Sequence, residues 1–160
     1  HLGYPLIQII LLLAALGDSQ GLGALLEHLG ERIKSLTDIF PHGVNVSLYE
    51  CRTRRSIFVA TYERGAGITL SCGTAMTASA TAATLLNYVK GGQRIEVFNR
   101  GGKVMCTTRI TDDSIVTTLE GNATFEWRGE AHFDNETLRY DVVEHTCEAE
   151  CWRKFVESLN

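Results

Sequence analysis

Tyr62 to Val89 reads YERGAGITLSCGTAMTASATAATLLNYV. The charged pair Glu63-Arg64 enters it, a glycine-rich turn follows, and Ser71-Cys72-Gly73-Thr74 opens an alanine-rich segment with no charge until Lys90. This layout predicts a strand, a turn, and a cysteine at the start of a buried helix. A helix uncharged on every face belongs at the centre of a domain. Residues 66–89 are numerous enough to span a bilayer, but their Thr and Ser content and their turn glycines favour a soluble core. First-turn N–H groups have no intrahelical partner and favour negative charge, so a thiol there is favoured as thiolate and a carboxylate can be held beside it. A thiol base beside a carboxylate site suggests chemistry at an amino-acid α-carbon.

Upstream, Leu6 to Leu13 reads as a strand buried on both faces, broken by Gly17-Asp18-Ser19-Gln20-Gly21. The longer run LIQIILLLAAL, Leu6 to Leu16, is too short to span a bilayer. It resembles a signal-peptide apolar region but lacks a basic flank. Ala24 to Leu36 places Leu25, Leu26, Leu29, Ile33 and Leu36 on one helical face. Val44, Val46 and Leu48 alternate, which predicts a half-buried strand. Ser56 to Tyr62 reads as another strand, with Glu63 at its end.

Downstream, Gly91-Gly92 is expected to close the uncharged helix. Arg94–Asn99 and Lys103–Ile110 flank Arg100-Gly101-Gly102 as a hairpin. Asp112-Asp113 precedes a strand from Ser114 to Leu119. Short strands are expected at Ala123–Trp127 and Leu138–Val143, and a closing helix at Glu144–Leu159. That helix carries Cys147, Cys151, Trp152, Phe155, Val156 and Leu159 as an apolar stripe. The fold class expected is α+β, a mixed sheet wrapped around one central apolar helix. Residues 1–143 form the main domain, and residues 144–160 an amphipathic helix on or beside it.

The 160 residues, 44% hydrophobic and 21% charged, suit a globular domain able to bury a core. A net charge of −4 argues against nucleic acid as the main partner. The five cysteines, Cys51, Cys72, Cys106, Cys147 and Cys151, fit no disulfide framework or zinc spacing, which suggests a reduced cytoplasmic setting. No membrane partner is expected.

Each candidate has a plainer alternative. Cys72 can be a small core residue, since free cysteine is often buried. Against that, Gly65, Gly67 and Gly73 crowd the same turn, and glycine is costly unless tight geometry or close ligand approach needs it. Glu63 can accept a thiol proton and Arg64 can clamp a carboxylate bidentately, although a Glu-Arg pair at a strand end is usually solvated. His145-x-Cys147-x-x-x-Cys151 has two thiols one turn apart, but they lie on the apolar stripe, so core packing is expected and no metal. Cys51 and Cys106, within strands, are expected to be structural. No G-x-S-x-G supports a serine nucleophile.

Glu63-Arg64-Gly65-Ala66-Gly67 followed by Thr69-Leu70-Ser71-Cys72-Gly73-Thr74 resembles the second active-site motif of diaminopimelate epimerases, ERGAGET-x-x-CGTGA. Phe40-Pro41-His42-Gly43-Val44-Asn45-Val46 resembles that family's F-P-x-G-V-N-V segment. Asn99-Arg100-Gly101-Gly102 resembles its later P-G-G hairpin, and Gly121-Asn122-Ala123-Thr124-Phe125 its late G-P-A strand. Ala75 replaces a glycine of the motif. The family's G-N-P-H stands here as Gly3-Tyr4-Pro5-Leu6, and its first-half C-G-N-G is absent.

The resemblance implies a cofactor-independent isomerase that interconverts LL- and meso-diaminopimelate with two cysteines on opposite faces of the α-carbon. It implies Cys72 as the second catalytic thiol, assisted by Glu63, and Asn45, Arg64, Gly73 and Thr74 as substrate-binding residues. It implies a fold of two similar halves, each a sheet around a central helix, with the site between them. This chain then reads as the C-terminal half, in need of an N-terminal half for a complete site and inactive alone. A small amino acid is the expected partner, and a homodimer remains open. Two other readings stand beside this one: a racemase of another amino acid in the same superfamily, and a non-catalytic domain that keeps the fold and binds a ligand or partner.

Overall fold

The computed structural model describes residues 8–12, 19–134 and 136–160. In chain order the elements are β1 (Gln8–Leu12), α1 (Ser19–Lys34), β2 (Asn45–Thr53), β3 (Ser56–Glu63), β4 (Gly67–Thr69), α2 (Gly73–Leu85), β5 (Arg94–Asn99), β6 (Gly102–Ile110), β7 (Ile115–Glu120), β8 (Trp127–Asp134), β9 (Thr137–His145) and α3 (Cys147–Glu157). They form two compact units, His1–Gly121 and Asn122–Asn160.

The first unit is α+β, a mixed sheet wrapped around α2. Its strands run in the order β1-β2-β3-β5-β6-β7, with β4 paired to β3. β1 with β2 and β3 with β5 are parallel; the other pairs are antiparallel. α2 touches each of the six strands on that path. Enclosure is why the helix has no polar stripe. Ala75, Met76, Ala80 and Ala83 are buried, and alanine lets the sheet approach closely. Its threonines lose little by being buried in part. Thr77, Thr81 and Thr84 donate their hydroxyls to the carbonyls four residues back, at 2.8–2.9 Å.

Around α2, Tyr49, Ile57, Val59, Met76, Val89, Ile95, Val97 and Cys106 pack as one cluster. On the opposite face of β2 and β3, α1 supplies Leu26 against Val46, Leu48 and Tyr62. The half-buried strand expected from Val44, Val46 and Leu48 is therefore corrected. β2 is buried on both faces from Asn45 to Tyr49, because its polar alternates Asn45 and Ser47 lie on the α2 side and are bonded there. Ser47 Oγ lies 3.0 Å from Thr61 Oγ1.

Other boundaries also differ. α1 begins at Ser19, inside the expected break; Gly3-Tyr4-Pro5-Leu6 and Gly17 lie outside the described residues. α2 ends at Leu85 rather than at Gly91-Gly92. Asn87 takes the left-handed conformation, φ 58°, and ends the helix. The Asn87 and Tyr88 N–H groups then donate to Thr84 O and Ala83 O. Asparagine is the non-glycine residue best suited to that conformation.

In the second unit, residues 122–126 are irregular where a strand was expected from Ala123. β8 and β9 form a hairpin with a bulge at Arg128/Gly129. β9 runs through His145, so α3 starts three residues later than expected. Thr146 caps it, its Oγ1 accepting from Ala149 N. The α3 stripe is not a core: none of its residues is buried, and Cys147 and Cys151 are exposed. Among the described residues no helix is long and apolar enough to cross a membrane.

Gly30 of α1 lies against the Tyr62 ring, where an added Cβ would collide. Tyr62 also donates its hydroxyl to the Glu31 carboxylate. Gly30→Ala gains helix propensity of about 1 kcal/mol but overpacks this contact at a typical cost of about 1–3 kcal/mol. The expected result is net destabilisation, a lower urea midpoint with unchanged slope. A raised midpoint would show that the ring moves aside freely.

Candidate active site

The site residues gather where β3 changes partner. Its first residues, Ser56–Phe58, pair with β5, and its last, Thr61–Glu63, pair with β4. Between β3 and β4 the chain turns through Glu63-Arg64-Gly65-Ala66, closed by Ala66 N–H to Glu63 O at 3.1 Å. Gly65 has φ +82°, the value a type II turn needs at its third residue. Gly67 follows with φ +76°, so both glycines are required by backbone geometry.

Arg64 is held at both ends. Its backbone N–H donates to Asn45 Oδ1 at 2.9 Å, and its Nη1 donates to His42 O at 2.6 Å. Its stem lies on Gly43, where a Cβ would sit 3.2 Å from Arg64 Cδ. The segment 40–46 therefore delivers three contacts to one arginine. Nε and Nη2 have no partner among the described residues, so the exposed guanidinium keeps donors for a carboxylate. Asn45 is buried, and among the described residues only its oxygen is bonded.

Glu63 is half-buried, and its Oε1 accepts from Thr69 Oγ1 at 2.6 Å. Glu63 pairs directly with Gly67, and Thr69 is the diagonal neighbour on the same face. The missing side chain at Gly67 leaves the space across which the two meet. No hydrogen bond joins Glu63 to Cys72 among the described residues. Thr69 went unrecognised in the sequence, although its spacing of two from Gly67 on a glycine hairpin is a usable signal.

Cys72 occupies the N-cap of α2 in extended conformation, φ −140° and ψ 100°. Its carbonyl accepts from Met76 N at 2.9 Å. Its side chain caps none of the first-turn N–H groups. The thiol lies 3.5 Å from Thr74 Oγ1, and Cys72 as a whole is 9% exposed. Gly73 and Thr74 are exposed. Among the described residues nothing requires glycine at 73, since a Cβ there would come no nearer than 3.9 Å, to Leu119 Cδ1. The structure thus joins Asn45 to Arg64, Cys72 to Thr74, and Glu63 to Thr69, as three separate pairs. A carboxylate at the first turn of α2 would meet a helix N-terminus, with a thiol beside it.

The remaining thiols differ. Burial pushes Cys106 up to about 11 and raises Cys51, helped by the Glu50 charge. Cys147 and Cys151 are exposed, which corrects the expectation that they are core residues; no group of three or more His, Cys, Asp or Glu converges around them among the described residues. Alkylation at neutral pH, read by peptide mass spectrometry, is expected to modify Cys72, Cys147 and Cys151. Cys51 and Cys106 stay unmodified until urea unfolds the chain. Early modification of Cys106 would contradict the packing around α2.

A family profile described as diaminopimelate epimerase matches residues 20–126. The chain is 33% identical to the diaminopimelate epimerase of Clostridium acetobutylicum over 122 residues, 76% of this chain and 37% of that protein. It is 34% identical to the enzyme of Enterococcus faecalis over 138 residues, 84% of this chain and 42% of that protein. The matches thus span about two fifths of the length of these curated relatives. Among solved structures, the Bacillus anthracis phenazine biosynthesis protein of the PhzF family aligns with a TM-score of 0.45 at 8% identity, over 71% of this chain and 33% of that chain. That likeness is too low to argue from.

Proposed function

This chain belongs to the diaminopimelate epimerase family, and we propose that it carries one catalytic face of a cofactor-independent amino-acid epimerase acting on diaminopimelate. The observation that supports the reading most is a thiol at the N-cap of α2 that caps none of the first-turn N–H groups, on the same β3–β4–α2 stretch as a latched arginine. Arg64 and the first turn of α2, Gly73 and Thr74, hold the substrate α-carboxylate. Asn45 orients Arg64 through its oxygen and offers its amide N–H groups to the substrate. Cys72, as thiolate, takes the α-proton; in the reverse direction the thiol gives it back. The electron pair left on the α-carbon is stabilised by the positive groups at the adjoining carboxylate. Glu63, aligned by Thr69, assists the thiol.

Inversion requires a base on one side of the α-carbon and an acid on the other, both within reach. The second thiol belongs, in this reading, to the other half of a complete site, with which this chain pairs in the reduced cytoplasm. The LL/meso interconversion feeds lysine and peptidoglycan synthesis. A second reading, racemisation of a different amino acid, draws on Gly3-Tyr4-Pro5-Leu6 standing where the family has G-N-P-H. A panel of amino acids in the same assay separates the two.

The chain alone is expected to exchange the diaminopimelate α-proton for solvent deuterium slowly and with retention. An open half-site admits water and weakens its own electrostatics. Cys72→Ala abolishes the exchange. The readouts are proton NMR in deuterium oxide and chiral chromatography. Rapid inversion by the chain alone would refute the two-thiol reading, and exchange that survives Cys72→Ala would refute the role of Cys72.

A further inference from the structure

Residues 70–72 lie between the end of β4 and the start of α2, outside any strand or helix. This loop carries the thiol, so whatever holds it sets where the sulfur sits. One hold comes from the β5–β6 hairpin: Gly101 N–H donates to Leu70 O at 2.8 Å. A Cβ at Gly101 would lie 2.9 Å from Leu70 O and 3.2 Å from its carbonyl carbon, so backbone meets backbone and only glycine fits. The other hold is on the helix side. Met76 N–H donates to Cys72 O at 2.9 Å, and Ser71 Oγ reaches Met76 Sδ at 3.9 Å.

Asn99 joins the two holds. Its Oδ1 accepts from Gly101 N–H at 3.1 Å, and its Nδ2 donates to Met76 Sδ at 3.0 Å. Its side chain is buried, with 4% of the residue exposed, and Met76 is 1% exposed. An Asn that bonds its own backbone two residues on is an ordinary hairpin device. The second bond, to the first turn of α2, is not explained by the hairpin. Reversing the amide would set donors against Gly101 N–H, so the two bonds choose one orientation. A buried amide is costly unless both ends are bonded, and an apolar side chain would fill this position without that cost. We propose that Asn99 is a positioning residue that holds the Cys72 thiol at the α2 N-terminus. The inference rests on the reading of Cys72 as the reactive thiol.

The experiment measures iodoacetamide modification of each cysteine across pH in the full chain, in the wild type, Asn99→Leu and Met76→Leu. Both variants keep the number of side-chain heavy atoms and remove one partner of the Asn99–Met76 bond. The Cys72 profile is expected to change in both, its rate shifting several-fold relative to Cys147 and Cys151, because a displaced loop alters the access of reagent to a thiol that the wild type buries. The profiles of Cys147 and Cys151 stay in place as internal references. An unchanged Cys72 profile in a folded variant overturns the proposal, even where the urea midpoint falls, because loss of stability alone is what a purely structural asparagine would give. Should Asn99→Leu fail to fold, Met76→Leu decides by the same criterion. Modification reads the thiol whether or not the chain epimerises anything, so this inference and the proposed function fail separately.

Discussion

Everything in the first unit follows from the need to enclose a helix that has no charged face. From Gly73 to Leu85 the side chains of α2 offer water nothing ionic, so the sheet must curve around it, and six strands touch it. Curvature of that kind leaves the helix ends as the openings. At the C-terminal end Asn87 turns the chain back. At the N-terminal end the sheet parts where β3 changes partner from β5 to β4, and the loop carrying Cys72 fills the gap. The constraint that builds the core thus also places a thiol and a helix N-terminus together at a rim.

Magnitudes say what that rim can and cannot do. A charge near an exposed helix terminus gains roughly 0.3–1 kcal/mol, too little for a reaction that removes a carbon-bound proton. The arrangement becomes adequate only with an arginine that holds the same carboxylate and with water excluded. Arg64 is already latched by Asn45 and His42. Exclusion of water is missing from this chain by itself, since Arg64, Gly73 and Thr74 are exposed. In the proposed function the other half of the site supplies that exclusion.

Much of this was legible in the residues. The uncharged run after Cys72 located the central helix, and the glycines after Glu63-Arg64 located the turn, because both signals are local and physical. What escaped was decided by tertiary partners. Ser47 looked like the exposed alternate of a half-buried strand, yet a hydroxyl partner on Thr61 allows it to be buried. Gly91-Gly92 looked like the helix stop, yet Asn87 reached the left-handed conformation first. Cys147 and Cys151 followed an apolar period, but periodicity says which face is apolar, not whether anything covers it. Thr69 and Asn99 escaped because a polar side chain that orients a neighbour has no pattern of its own in one sequence.

The most direct test of the central claim is where a substrate carboxylate lands. Backbone and guanidinium NMR signals of the isotopically labelled chain, followed during titration with diaminopimelate, report this without requiring turnover. The account predicts shifts concentrated on Gly73, Thr74, Ala75 and the Arg64 side chain, reduced by Arg64→Met. Shifts centred elsewhere, or none at saturating ligand, would contradict the assignment of the α2 N-terminus as the binding site.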